Sequence, residues 1–207
     1  MGKAILMSIR PQYVAKILNG DKTIEVRKKF PKDYVGWVYI YCTKKCNITE
    51  DNKGYYVIED KNCRINPRFS IHGTVVARFW CDKVEEIYPE FEEEGDCEMG
   101  VSDIWGYHTQ TFQTEEELLK TACIKFEDFY EYIDKDFCYE SKGYAIRISK
   151  LEVFDKAKEL KELKKVGYNE LYNKFMDNCL IDRNSYENLE DSYSLTKAPQ
   201  SWCYVED

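Results

Sequence analysis

Long apolar runs are missing from this chain of 207 residues. No stretch approaches the roughly 18 consecutive apolar residues that a membrane-spanning helix needs, so no helical span and no membrane partner are expected. Histidine is scarce. The two present, His72 and His108, stand in no catalytic motif. Ser8 and Ser201 have no base partner legible in the sequence, which leaves a Ser-His-Asp arrangement unsupported. A Gly-rich phosphate-cradling loop and an internal repeat are also absent. The N-terminal run Met1-Gly2-Lys3-Ala4-Ile5-Leu6 enters a strand pattern directly, without the form of a signal peptide. Leu6 occupies the position where a myristoylation signal carries Ser or Thr. A cytoplasmic protein is therefore expected.

What the chain does contain fits a globular fold. Aromatics make up 15% of the residues, with 17 Tyr, a composition that disordered chains do not have. The length suits a single domain spanning 1–207. The nine Cys are odd in number and scattered, which in a cytosolic protein points to reduced, mostly buried thiols. Cys42 and Cys46, with Cys63 and His72 further on, are possible zinc ligands, but their spacing matches no tight finger pattern. No metal or cofactor is expected.

The net charge of −8 conceals an asymmetry. Residues 1–45 carry ten Lys and Arg against three Asp and Glu, whereas the remainder carries twenty against thirty-five. An acidic body is a poor general binder of nucleic acid, because such binding rests on neutralising phosphates. A basic N-terminal face can still hold a short strand or a single nucleotide.

Along the chain, Ala4–Ile9 reads as a buried strand. Pro11 suits a first helical turn, and Val14, Ile17 and Leu18 recur at helical spacing up to Gly20. A strand over Trp37–Cys42 has packing residues on both faces and is expected at the centre of a sheet. Gly73–Cys81 is a further strand. Residues 82–98 hold nine acids and one base, and read as a solvated loop. Thr114 and Glu117 form a helix-capping pattern. A second short helix is expected over Phe126–Ile133, with Phe126, Phe129, Tyr130 and Ile133 on one side. Gly143–Ile148 alternates as a strand, the chain turns helical from Lys156, and Pro199 suits an edge segment. Trp105 and Trp202 read as packing anchors. Short strands separated by turns and small helices favour an α+β fold, a small mixed β-barrel with short flanking helices.

The most informative stretch is Gly20-Asp21-Lys22-Thr23-Ile24-Glu25-Val26-Arg27. Ile24 and Val26 alternate with Glu25 and Arg27, so a core on one face leaves the acid and the arginine together on the other. Lys22 sits where the chain leaves the turn. Three charges at the mouth of a strand make a plausible polar ligand site, with Lys22 as a point charge for phosphate and Arg27 as a planar fork for a phosphate or base edge. The plainer alternative is a Glu25–Arg27 pair on the strand surface, contributing about 0–1 kcal/mol.

These residues resemble the start of an ASCH domain, a family of the PUA-like superfamily. The family hallmark is G-x-K-x-x-E-x-R, which Gly20, Lys22, Glu25 and Arg27 fit. The Cys123 to Ile133 stretch, Gly143-Tyr144-Ala145-Ile146 and Pro199-Gln200-Ser201-Trp202 are similar to the bacterial and phage branch. Residues 43–72, 82–112 and 164–195 would be elaborations. The resemblance implies a PUA-like β-barrel whose cleft, lined by the motif, binds RNA or a modified nucleotide. Ser8, Lys22, Thr23, Glu25, Arg27 and Tyr41 are the expected ligand-contacting residues. One branch of the family hydrolyses N4-acylated cytidine. It carries Thr where this chain has Glu25, and its second carboxylate has no counterpart around Thr121-Ala122-Cys123. If the chain is an enzyme on such a nucleoside or on RNA, Lys22 and Glu25 are its expected working residues. A protein-interaction adaptor working through the acidic surface is the third reading.

Overall fold

In the computed structural model, residues 2–43, 48–50, 53, 56–58, 73–91, 104–133, 143–177 and 183–207 are described. The apolar first run becomes β1 (Lys3–Ile9), and Pro11 opens α1 (Pro11–Leu18), which lays Val14, Ala15 and Ile17 into the core. Gly20, at φ 80°, takes the left-handed turn that leads into β2 (Ile24–Arg27). There follow β3 (Gly36–Cys42), the short β4 (Ile48–Glu50) and β5 (Tyr56–Ile58), β6 (Val75–Cys81), β7 (Val84–Phe91) and β8 (Ile104–His108). Two helices, α2 (Glu115–Ala122) and α3 (Phe126–Ile133), precede β9 (Gly143–Arg147) and β10 (Ser149–Lys158). The last elements are α4 (Tyr168–Asp177), α5 (Arg183–Tyr193) and β11 (Trp202–Glu206).

The chain forms two compact units. The first draws on Met1–Asn19, Gly36–Trp80 and Lys150–Asp207. Its five-stranded sheet has the order β10-β6-β3-β1-β11. As expected, β3 lies inside this sheet, parallel to β1, while β11 forms an antiparallel edge on β1. Ala4, Leu6, Tyr39, Tyr41, Val75 and Val205 form a core with Leu163 and Leu195, which flank the two C-terminal helices. The Asn19 side-chain amide exchanges two hydrogen bonds with the Tyr56 backbone, fastening the end of α1 to β5.

The second unit draws on Gly20–Val35 and Cys81–Ser149. Its antiparallel sheet runs β2-β9-β7-β8. One face, with Ile24, Val26, Ile87, Tyr107 and Ala145, packs against Leu118 and Ala122 of α2 and Phe129 and Ile133 of α3. The expected cap of α2 forms, the Thr114 hydroxyl accepting from the Glu117 N–H. Cys123 then closes the helix in the left-handed conformation.

The structure corrects several expectations. Part of the acidic stretch 82–98 is strand β7, not loop, and its Glu85 is buried. Partners distant in sequence meet it there, Glu85 accepting from the Thr109 and Thr111 hydroxyls, while the nearby Lys83 pairs with it at 2.7 Å. Lys156 does not begin a helix; β10 runs to Lys158, and a single 3-10 turn follows at Leu160–Glu162. Phe126 does not join Phe129 and Ile133 in the core but is 52% exposed at the first turn of α3. Among the possible zinc ligands, Cys42 is a buried free thiol, while Cys46, Cys63 and His72 lie outside the described residues. Among the described residues no helix is long and apolar enough to cross a membrane.

Candidate functional site

Strand β2 is buried along its whole length. Ile24 and Val26 face the helices, and Glu25 and Arg27 share the opposite face, as the alternation requires. That second face is not the solvated one expected for a surface pair. Glu25 is 6% and Arg27 8% exposed, and Lys22 only 1%. The three side chains form one ion cluster. The Glu25 carboxylate sits between the two cations, 3.2 Å from Lys22 Nζ through one oxygen and 2.9 Å from the Arg27 guanidinium through the other. Lys22 Nζ also donates to the carbonyl of Ala122, at the C-terminal end of α2, where the helix dipole favours a cation.

Burial is the largest influence on Lys22 and pulls its pKa below the ordinary 10.5, with the Glu25 carboxylate opposing the shift. The cluster thus sets two basic side chains around a single acid. Its least enclosed side chains are Arg27 and Glu25, at 10% and 8%. The guest-sized opening expected around Lys22 is therefore not its surrounding; Lys22 is enclosed behind Glu25. Cys123 lies close by, its thiol donating to the Asp21 carbonyl at 3.3 Å. Periodicity and spacing do not mark the Ala122 carbonyl or this thiol as neighbours of the motif; only the family resemblance points to Thr121-Ala122-Cys123, which the left-handed closure of α2 brings there.

The Thr23 side chain is exposed, and its backbone holds two elements, the N–H donating to Thr121 and the carbonyl accepting from Ile148. Ser8 and Tyr41 belong to the first unit, where they are register partners on β1 and β3. The Ser8 hydroxyl donates to the Pro199 carbonyl at 2.7 Å and its N–H to Ser201, tying down the approach to β11. Tyr41 is buried to 6% exposure, and that burial raises its pKa.

The second unit also holds a pocket of about 30 Å³, floored by Ile24, Phe112 and Ala145 and rimmed by Lys83, Glu85, Thr111 and Arg147. It has room for a water or two, far below the roughly 300 Å³ of a typical small-molecule site. Burial pushes Glu85 upward, but Lys83 and the two threonine hydroxyls outweigh it, and the pKa ends below the ordinary value.

With this geometry in view, the crystal structure of ASCH from Zymomonas mobilis superposes on 99% of this chain and 88% of its own, with a TM-score of 0.50 at 13% identity. The fold is ASCH-like. Two crystal structures of variants of the same Zymomonas mobilis protein, one tyrosine-to-phenylalanine and one serine-to-alanine, match at 12% identity. They cover 99% of this chain and 91% and 89% of theirs, each with a TM-score of 0.49. No protein-family model matches the sequence, and no curated protein matches it significantly. The mixed α+β architecture expected from short strands and small helices is seen directly in the elements, and its ASCH-like character rests on this structural likeness alone.

Proposed function

We propose that this ASCH-like protein binds RNA, or a nucleotide derived from it, through the cluster of Lys22, Glu25 and Arg27. The observation that carries the reading is the buried cluster itself, two basic side chains around one acid. Replacing a buried ion cluster by apolar side chains of similar volume is often neutral or stabilising by about 1–4 kcal/mol, so stability alone is a weak reason for having one. Clusters with burial-shifted ionisation are concentrated at functional sites. In this reading Arg27 and Glu25 meet the ligand, Arg27 with a phosphate or base edge and Glu25 with an exocyclic amine. Lys22 works from behind, holding Glu25 in place. Thr23, with its exposed side chain, remains a proposed contact.

The test is fluorescence anisotropy with labelled single-stranded RNA, run well below the unfolding midpoint of each variant. Arg27→Ala and Lys22→Ala should both weaken binding while circular dichroism stays native. Unchanged affinity in both refutes the proposal.

A second reading, hydrolysis of an N-acylated cytidine, draws support from the lowered pKa of Lys22 beside a carboxylate, a general acid/base pairing. Incubation with N4-acetylcytidine, followed by chromatography, tests it. Turnover that disappears in Lys22→Ala is the expected result; no turnover above that control rejects it.

A further inference from the structure

The face of the second sheet that carries Glu25 and Arg27 continues beyond them. Arg27 pairs with Tyr144 on β9, and Tyr144 pairs with Glu86 on β7, so the three form one cross-strand row. Two residues along β7, Tyr88 shares the same face and pairs with His108 on β8. The Tyr88 hydroxyl donates to Glu86 at 2.6 Å, and the Tyr88 and His108 rings lie 6.0 Å apart in a tilted arrangement. Tyr144, Tyr88 and His108 are all half-buried. The Nδ1 atom of His108 is buried and has no hydrogen-bond partner among the described residues. An orphan of this kind calls for a partner that the described residues do not supply.

We infer that Tyr144 and Tyr88, with His108 beyond them, form a stacking track that carries successive unpaired bases of single-stranded RNA away from Arg27. This rests on the RNA-binding reading and extends it to residues outside the motif. Two observations favour this occupant. First, the track begins at Arg27, with the exposed Lys29 two residues on, which suits a polyanion; Lys28 turns the other way, over the Tyr132 ring of α3. Second, diagonal neighbours on adjacent strands are about 7–8 Å apart. That is roughly twice the 3.4 Å repeat along one duplex strand. Bases seated one per ring must therefore be splayed apart, which a single strand permits and a duplex does not. Stacking on aromatic rings tolerates any base, so the track supplies affinity with little sequence preference.

The experiment measures anisotropy with a labelled single-stranded RNA and with the same strand annealed into a duplex. It compares the wild type with Tyr88→Leu, Tyr144→Leu, Tyr88→Phe and Tyr144→Phe, each checked by thermal unfolding. Each leucine variant should bind the single strand about 5- to 150-fold more weakly, the range expected for one lost stacking contact. Each phenylalanine variant, which keeps the ring, should stay within about twofold of the wild type. Duplex should bind more weakly than single strand. If Arg27→Ala loses affinity while both leucine variants bind like the wild type, the track is wrong and the RNA-binding reading survives. Equal binding of duplex and single strand also overturns the track. If the wild type binds neither RNA, both readings fall together.

Discussion

Replacing Glu25 by Gln removes the one negative charge in the buried cluster and keeps the shape of the side chain. Lys22 and Arg27 then face each other with no carboxylate between them, in a site where Lys22 is 1% exposed. Breaking a buried ion pair by removing one partner costs about 3–5 kcal/mol. For a protein of this size each kcal/mol lowers the midpoint by about 2–4 °C, so the variant should unfold roughly 6–20 °C below the wild type. The cost should also depend on pH. Losing Glu25 lowers the folded-state pKa of Lys22 further, while its unfolded value stays near 10.5. Between those two values the unfolded state binds more protons than the folded state, so stability rises with pH. The penalty is full below the folded-state pKa and fades as the pH climbs through it. Thermal unfolding of both proteins by circular dichroism, from neutral pH to pH 10, reads both effects. A midpoint within about 1 °C of the wild type, or a gap that widens towards alkaline pH, would refute the reasoning.

Two further outcomes follow from the packing. Gly143→Ala places a Cβ 2.8 Å from Ile133 Cδ1 and 3.2 Å from Ile87 Cδ1, with the Arg27 carbonyl at 3.5 Å. This overpacking should cost about 1–3 kcal/mol in urea denaturation, and an unchanged midpoint would show that the helix α3 side of the core yields freely. Burial pushes the Cys81 thiol up to about 12, and its Sγ lies 3.7 Å from the Tyr34 carbonyl oxygen. In the native protein at pH 8, alkylation read by mass spectrometry should therefore label the partly exposed Cys123 well before Cys81, and equal labelling rates would contradict the burial.

The sequence was most legible where local chemistry decides. Pro11 and Gly20 bracket α1, Thr114 caps α2, and the alternation of Ile24 and Val26 sets the faces of β2. It was least legible where charge is buried by partners far along the chain. Glu85 reads as part of an acidic loop until Thr109 and Thr111 come to it across the sheet. The motif charges read as a solvent-facing set because alternation assigns a face without saying what covers it. Their enclosure depends on Ala122 and on the left-handed residue after it. The aromatic row beyond Arg27 was hidden for the same reason: Tyr88, His108 and Tyr144 are neighbours only by strand register.

The pairing of β1 has a bearing on synthesis. One flank of this strand is met early, by β3, whereas the other waits for Trp202–Glu206, nearly two hundred residues later. At a ribosomal pace of about 5–20 residues per second, that gap lasts on the order of 10–40 s. For that interval an apolar strand would have an open hydrogen-bonding edge, the kind of surface that recruits another chain. Nascent protein stalled before Trp202 should therefore be the form most prone to clump and most dependent on chaperones.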